Sequence, residues 1–178
     1  REEQQEGRLF YLLVDSSASM RGRRGVFARG VALGLAKRLL LQGYEVLFRY
    51  FDAQLHRLFA LHERSWHLPA ILSFPSDGPR DYGRCFRELV GHLGALASRE
   101  RPIEVAFITH YECAIPPDLV EQIRQKARLT GLFLFPTRVD LEPGYLQLLD
   151  RYRIIAEKDL LEGDSRVRSA RSVLLGLA

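Results

Sequence analysis

The stretch "YLLVDSSASMRGRRG", residues 11–25, decides how the chain is read. It continues an apolar run that begins at Leu9. "RLFYLLV" (8–14) is short and rich in strand formers, so it reads as a strand buried on both faces. The chain leaves that strand through Asp15, Ser16, Ser17 and Ser19, then turns basic at Arg21, Arg23 and Arg24. In an extended exit, alternate positions point the same way, so Asp15, Ser17 and Ser19 can converge on one point. One carboxylate and two hydroxyls form an all-oxygen half-shell suited to a hard dication such as Mg²⁺. The same string also reads as a plain strand-to-helix turn in which Ser or Asp caps the next helix.

Working outward, "GVFARGVALGLAKRLLL" (25–41) has helical spacing, and "GYEVLFRYF" (43–51) and "AQLHRLFA" (53–60) read as strands joined by a tight turn at Asp52. "SWHLPAILSF" (65–74) is a poor helix broken by Pro69, and "PSDGPRDYG" (75–83) is a loop. "RCFRELVGHLGALAS" (84–98) predicts a helix and "PIEVAFIT" (102–109) a buried strand. "PPDLVEQIRQKARLT" (116–130) predicts a helix with Gly131 beyond its end, followed by a strand over "LFLFPT" (132–137). A short helix over 142–152 and a last strand over 153–156 complete the pattern.

Strands alternating with amphipathic helices predict an α/β fold. The expected architecture is a Rossmann-like three-layer sandwich. Its central sheet is mostly parallel with one antiparallel edge strand, and helices cover both faces. Residues 1–7 read as a polar tail or the end of an upstream segment, 8–160 as one domain, and 161–178 as a C-terminal helical extension packing on it. In such sheets ligands bind outside the carboxyl ends of the strands. The serine loop, "SDGPRDYG" and "ITHYEC" all belong to that end.

Composition narrows the function. The 178 residues carry a formal charge of +4, nearly all of the positive charge being arginine. No run of basic residues interleaved with aromatics suggests nucleic acid. No stretch has the ~18 uncharged apolar residues of a membrane span. Cys85 and Cys113 are too few for a disulfide framework, so a reducing cytoplasm is expected. There is no G-x-x-x-x-G-K-[ST] string for nucleotide phosphates. Because the chain opens at Arg1, we expect it to be the C-terminal part of a longer protein.

"FYLLVDSSASM" followed by a long helix resembles the von Willebrand factor A domain family and its metal-ion-dependent adhesion site. "YEVLFRYFDAQLHRL", "AFIT" and "GLFLFPT" fit the family's second to fifth strands. The resemblance implies a non-enzymatic protein-interaction module, an adaptor or assembly domain. Its metal would be held by Asp15, Ser17 and Ser19 and completed by an acidic group of the partner. A looser resemblance to bacterial cytoplasmic members implies a MoxR-type AAA+ ATPase system.

Two ligand positions depart from the family's pattern. "GPRDYG" puts Arg80 where the family has threonine, and "THYE" puts His110 where it has aspartate. Losing an acid and gaining a fixed positive charge both work against a dication, so metal binding is expected to be weak or lost. Asp77 or Asp81 from the second loop, or Glu112 from the third, are candidate substitute ligands. Alternatively, Arg80 pairs with Asp15 and replaces the ion. Arg21, Arg23 and Arg24 are candidate anion or partner contacts at a helix start. The rival reading is a metal-dependent hydrolase or phosphate-binding enzyme using Asp15, His110 and Glu112, with Cys113 nearby for a mixed zinc site.

Overall fold

All seven residues of β1 (Leu9–Asp15) are buried, and its side chains divide alternately between two cores. Leu9, Tyr11 and Leu13 pack with Phe86, Leu89, Val120 and Ile123 on one face. Phe10, Leu12 and Val14 pack with Val31, Leu35 and Leu39 on the other. That is why β1 has no charged side chain before Asp15: a strand covered on both sides has no solvent face to alternate with. Each such side chain contributes roughly 1.5–3 kcal/mol when fully buried.

The computed structural model describes residues 7–97, 101–137 and 142–158. After β1 come α1 (Arg23–Leu41), β2 (Glu45–Phe51), β3 (Leu55–Leu61), α2 (Leu68–Leu72), α3 (Tyr82–Ala97), β4 (Ile103–His110), α4 (Pro117–Arg124), β5 (Arg128–Leu134) and β6 (Arg151–Ile155). The six strands lie in the order β3-β2-β1-β4-β5-β6. All neighbours are parallel except β2 and β3, which pair antiparallel at one edge, as predicted. The chain reverses its direction of winding between β1 and β4. That switch point sets the carboxyl ends of β1 and β4, Asp15 and His110, beside one another.

The expected boundaries fail in the second half. The helix predicted over 116–130 ends at Arg124, and residues 128–130 already belong to β5. Gly131 is therefore no helix stop but a mid-strand residue. A Cβ there would lie 2.8 Å from Phe133 Cε2 and 2.9 Å from Leu149 Cδ1, so glycine makes room for the packed ring and leucine. The short helix expected over 142–152 shrinks to a 3₁₀ turn, Leu146–Leu148, and β6 begins at Arg151. The C-terminal helical extension over 161–178 lies outside the described residues.

Candidate functional site

Three loops meet at the carboxyl edge because backbone pairing fixes two of them to each other. Gly78 N–H donates to Ser16 O at 3.2 Å, and Ala18 N–H donates to Gly78 O at 3.0 Å. The loop before α3 is thereby added to the exit of β1 as a one-residue bridge between Ser17 and Gly78. Ser16 turns away from Asp15 and donates to Asp52 Oδ2 at 3.1 Å.

Asp15 is 1% exposed, so each of its oxygens needs protein donors. Oδ1 accepts Ser17 N–H at 2.7 Å, closing a turn on itself. Oδ2 accepts the Thr109 hydroxyl at 2.5 Å and the Tyr82 hydroxyl at 2.9 Å. Tyr82 is the first residue of α3, and its oxygen also lies 3.3 Å from Ser17 Oγ and 2.8 Å from His110 Nε2. His110 ends β4, and its Nδ1 lies 3.1 Å from Glu112 Oε2. Glu112 in turn accepts from Thr137, at the backbone N–H (3.3 Å) and at the hydroxyl. A hydrogen-bonded chain thus runs from buried Asp15 through Tyr82 and His110 to the surface at Glu112 and Thr137.

Proton inventory fixes the roles. An ionised carboxylate only accepts, so His110 Nδ1 carries the hydrogen shared with Glu112. In the neutral ring Nε2 then accepts, and the single Tyr82 hydrogen is contested by Asp15 and His110. Burial pushes the His110 imidazole below its ordinary range, against the opposing pull of Asp15 and Glu112. Burial and the Asp15 charge push the Tyr82 hydroxyl far up, so it stays protonated. Burial also works to raise Glu112, but hydrogen bonds from Thr137 and His110 outweigh it and hold the carboxyl at about 2.

Of the expected ligands, Asp15 and Ser17 come together and Ser19 does not join them. Ser19 lies in the 3₁₀ turn Ala18–Met20, where its carbonyl accepts from Arg24 at 3.1 Å. Arg80 is exposed and makes no ion pair with Asp15, which corrects the expectation that its guanidinium replaces the ion. The oxygen at that point belongs to Tyr82, two residues later. Asp81 is a helix cap: its Oδ1 accepts Arg84 N–H at 2.9 Å, which starts α3 at Tyr82 and aims the ring inward. Asp77 is exposed beside Asp52 and His56. No side chain caps α1 or the 3₁₀ turn, so the capping reading of the serines also fails.

The three arginines are occupied by the fold. Arg21 donates to Ser76 O at 3.3 Å, and Arg23 pairs with Glu157 at 3.0 Å on the surface. Arg24 donates to Phe135 O at 2.5 Å, fixing the exit of β5 where Phe135 has a φ of 49°.

A dication does not fit this arrangement. Mg²⁺ requires oxygens at about 2.1 Å in near-octahedral geometry. Tyr82 Oη already sits where Asp15 Oδ2, Ser17 Oγ and His110 Nε2 converge, 2.8–3.3 Å from each. Among the described residues no group of three His, Cys, Asp or Glu side chains is placed to hold a metal. Cys113 and Cys85 are buried, and burial raises both thiols, which disfavours the thiolates a zinc site needs.

Sequence reasoning missed Tyr82, Thr109, Gly78 and Asp52. The available signals were a tyrosine directly after a helix-capping aspartate and a threonine ending a buried strand.

No family model matches the chain, and no curated protein matches it in sequence. Solved structures do match. "von Willebrand factor type A from Catenulispora acidiphila" superposes with a TM-score of 0.59 and 17% identity, over 94% of this chain and 43% of that one. The pilus adhesin SpaC from Lactobacillus rhamnosus GG gives 0.66 and 11%, over 98% and 31%. The SpRpn10 VWA domain gives 0.67 and 11%, over 90% and 94%. The chain spans less than half the length of the first two and nearly all of the third. At such identities the likeness establishes the architecture: the chain has the von Willebrand factor A fold. Among the described residues no helix is long and apolar enough to cross a membrane.

Proposed function

We propose that the domain is a non-enzymatic protein-interaction module. Its partner-binding surface is the carboxyl edge of the sheet, and its Asp15 centre is held together by Tyr82 in place of a metal ion. The observation that carries this is the Tyr82 hydroxyl at the convergence of Asp15, Ser17 and His110. It supports a site that keeps three loops in one shape and presents them as a surface. The rival hydrolase reading needs Asp15 and His110 to meet a substrate, yet each is 1% exposed and their polar atoms face one another. Sharing its fold with a pilus adhesin favours binding over catalysis. Following the family resemblance, we place the domain as a cytoplasmic adaptor or assembly factor beside a MoxR-type AAA+ ATPase of its bacterial host.

Site-specific photo-crosslinking in the host tests the surface. A crosslinking residue at Ala18, Arg80 or Ala114, all exposed at this edge, should yield one discrete adduct. The same residue at Leu41 or Gln42, at the opposite end of α1, should not. Adducts only from the opposite end would overturn the assignment.

A further inference from the structure

A cavity of about 340 Å³ opens between the loop after β4 and the segment leading into Leu146. It lies beside the Asp15 centre and shares Glu112 with it. Its walls are mostly apolar, formed among others by Tyr111, Ile115, Pro117 and Tyr145, and two acidic residues, Glu112 and Glu142, belong to its lining. Among the described residues no basic side chain lines it, although the whole chain carries a formal charge of +4.

We propose that this cavity seats an arginine side chain of the protein partner, with its stem along the apolar walls and its guanidinium between Glu112 and Glu142. The volume lies at the small end of ligand pockets, which run from roughly 300 to 1,000 Å³, so one long side chain suits it better than a folded segment. Arginine carries both features the pocket complements. Its methylenes cover apolar surface, and its planar head offers five donors that can serve two carboxylates at once. Glu112 spends part of its acceptor capacity on His110 and Thr137, and a carboxylate with about four lone-pair positions retains room for another donor. Glu142 is exposed and has no hydrogen bond or ion pair among the described residues. An acidic partner group, the kind the family resemblance implied, would be repelled here. The Tyr82 hydroxyl at the Asp15 centre and the acidic pocket fit together: an edge that presents a neutral hydroxyl and two acids suits a basic group.

The inference rests on the interaction reading and is tested apart from it. The probe is the peptide acetyl-Ala-Arg-Ala-amide, followed by backbone amide shifts of the whole chain. Its uncharged isostere with citrulline in place of arginine, and acetyl-Ala-Glu-Ala-amide, serve as comparisons. The arginine peptide should shift the Cys113, Ala114 and Gly144 amides saturably. Affinity should fall at least fivefold for the citrulline peptide and for Glu142→Gln, and vanish for Glu142→Lys. Glu63→Gln, an exposed acid elsewhere, should change nothing. Glu142 is exposed and makes no hydrogen bond or ion pair among the described residues, so its variants should melt like the parent. Equal binding of the citrulline peptide, unchanged affinity in Glu142→Gln, or shifts confined to other surfaces would overturn the proposal. If crosslinks form at the carboxyl edge while the arginine peptide fails, the pocket assignment is wrong and the interaction reading stands. If both fail, the interaction reading itself is wrong.

Discussion

Tyr82 donates its hydroxyl hydrogen to Asp15 Oδ2 at 2.9 Å, which ties the first residue of α3 to the last residue of β1. Because the same oxygen meets Ser17 and His110, one side chain connects all three loops of the carboxyl edge. Rigid presentation of loops by a fixed scaffold is how binding surfaces are commonly built. Here the fixing element is a neutral hydroxyl in a buried position.

Removing that hydroxyl should therefore cost stability. Tyr82→Phe removes the one hydroxyl hydrogen that Asp15 and His110 contest in a buried site, a loss of about 1–3 kcal/mol. Tyr82→Thr also clears space and leaves an oxygen of the family's usual ligand type. In melting series with chelator and with millimolar Mg²⁺ or Mn²⁺, the parent should not respond, and Tyr82→Thr should regain part of its lost stability with metal. A ligand at a hundred times its dissociation constant raises stability by about 2.7 kcal/mol. A shift of that size in the parent, abolished by Asp15→Ala, would show that Tyr82 yields its place to a cation.

Arg80→Thr should be nearly silent. The sequence invited the opposite expectation, a buried ion pair whose loss costs roughly 3–5 kcal/mol. With Arg80 exposed and unpaired among the described residues, the change should stay within about 0.5 kcal/mol and create no metal response. Chemical denaturation of parent and variant decides between the two.

Acidification should weaken the domain in two steps. Burial holds the imidazoles of His110 and His92 below the ordinary 6.5. Each binds fewer protons folded than unfolded in that window, so stability rises with pH there and falls as pH drops below 6.5. Glu112 acts at lower pH. Its carboxyl is held at about 2 against an ordinary 4.5, so its contribution is complete above 4.5 and is lost as pH falls towards 2. Unfolding free energies from about pH 8 to about pH 4 should show the first loss in the parent and a smaller one in His92→Gln. A flat parent profile between about pH 7.5 and about pH 5 would contradict the burial argument.

How much of this was legible follows from what each residue depends on. β1 depends on local pattern, an unbroken apolar run ending at Asp15, and appears in the structure as read; of the convergence expected beyond it, Asp15 and Ser17 meet and Ser19 stays apart. The identity of the group facing Asp15 depends on where α3 begins. Aligning strings put Arg80 opposite Asp15, but the Asp81 cap starts the helix one residue later, turning Arg80 outward and Tyr82 inward. Gly131 misled for a related reason. A glycine after a helical pattern signals a stop, yet this one is required by Phe107, Phe133 and Leu149 packing over a strand. Contacts with Phe107 and Leu149, distant in sequence, decided Gly131 and no local propensity encodes them, whereas the Asp81 cap is a local signal that the aligned string passed over.

Gly78 gives the sharpest test of how the loops are joined. Its backbone bridges Ser16 and Ala18, and a Cβ there would lie 2.0 Å from Asp52 Oδ2. Asp52 is held in place by its hydrogen bonds. It is 4% exposed and held by the Ser16 hydroxyl at 3.1 Å, Gln54 N–H at 3.2 Å and His56 Nε2 at 2.7 Å. Gly78→Ala should therefore either push the second loop off the exit of β1 or strip Asp52 of its donors. Either route should cost about 1–3 kcal/mol, the usual range for an overpacked buried position. Gly83→Ala is the matched control. Its Cβ would sit 3.6 Å from Pro116 Cγ, an ordinary contact, and alanine is favoured over glycine in a helix by about 0.5–1 kcal/mol. Urea melts should separate the two variants clearly, with Gly83→Ala at or above the parent. Asp52→Ala added to Gly78→Ala relieves the clash but leaves Ser16 and His56 without their acceptor, so the double variant should not recover parent stability. If Gly78→Ala alone melts like the parent, the second loop is not pinned against Asp52. The route by which Tyr82 reaches Asp15 would then need a different anchor.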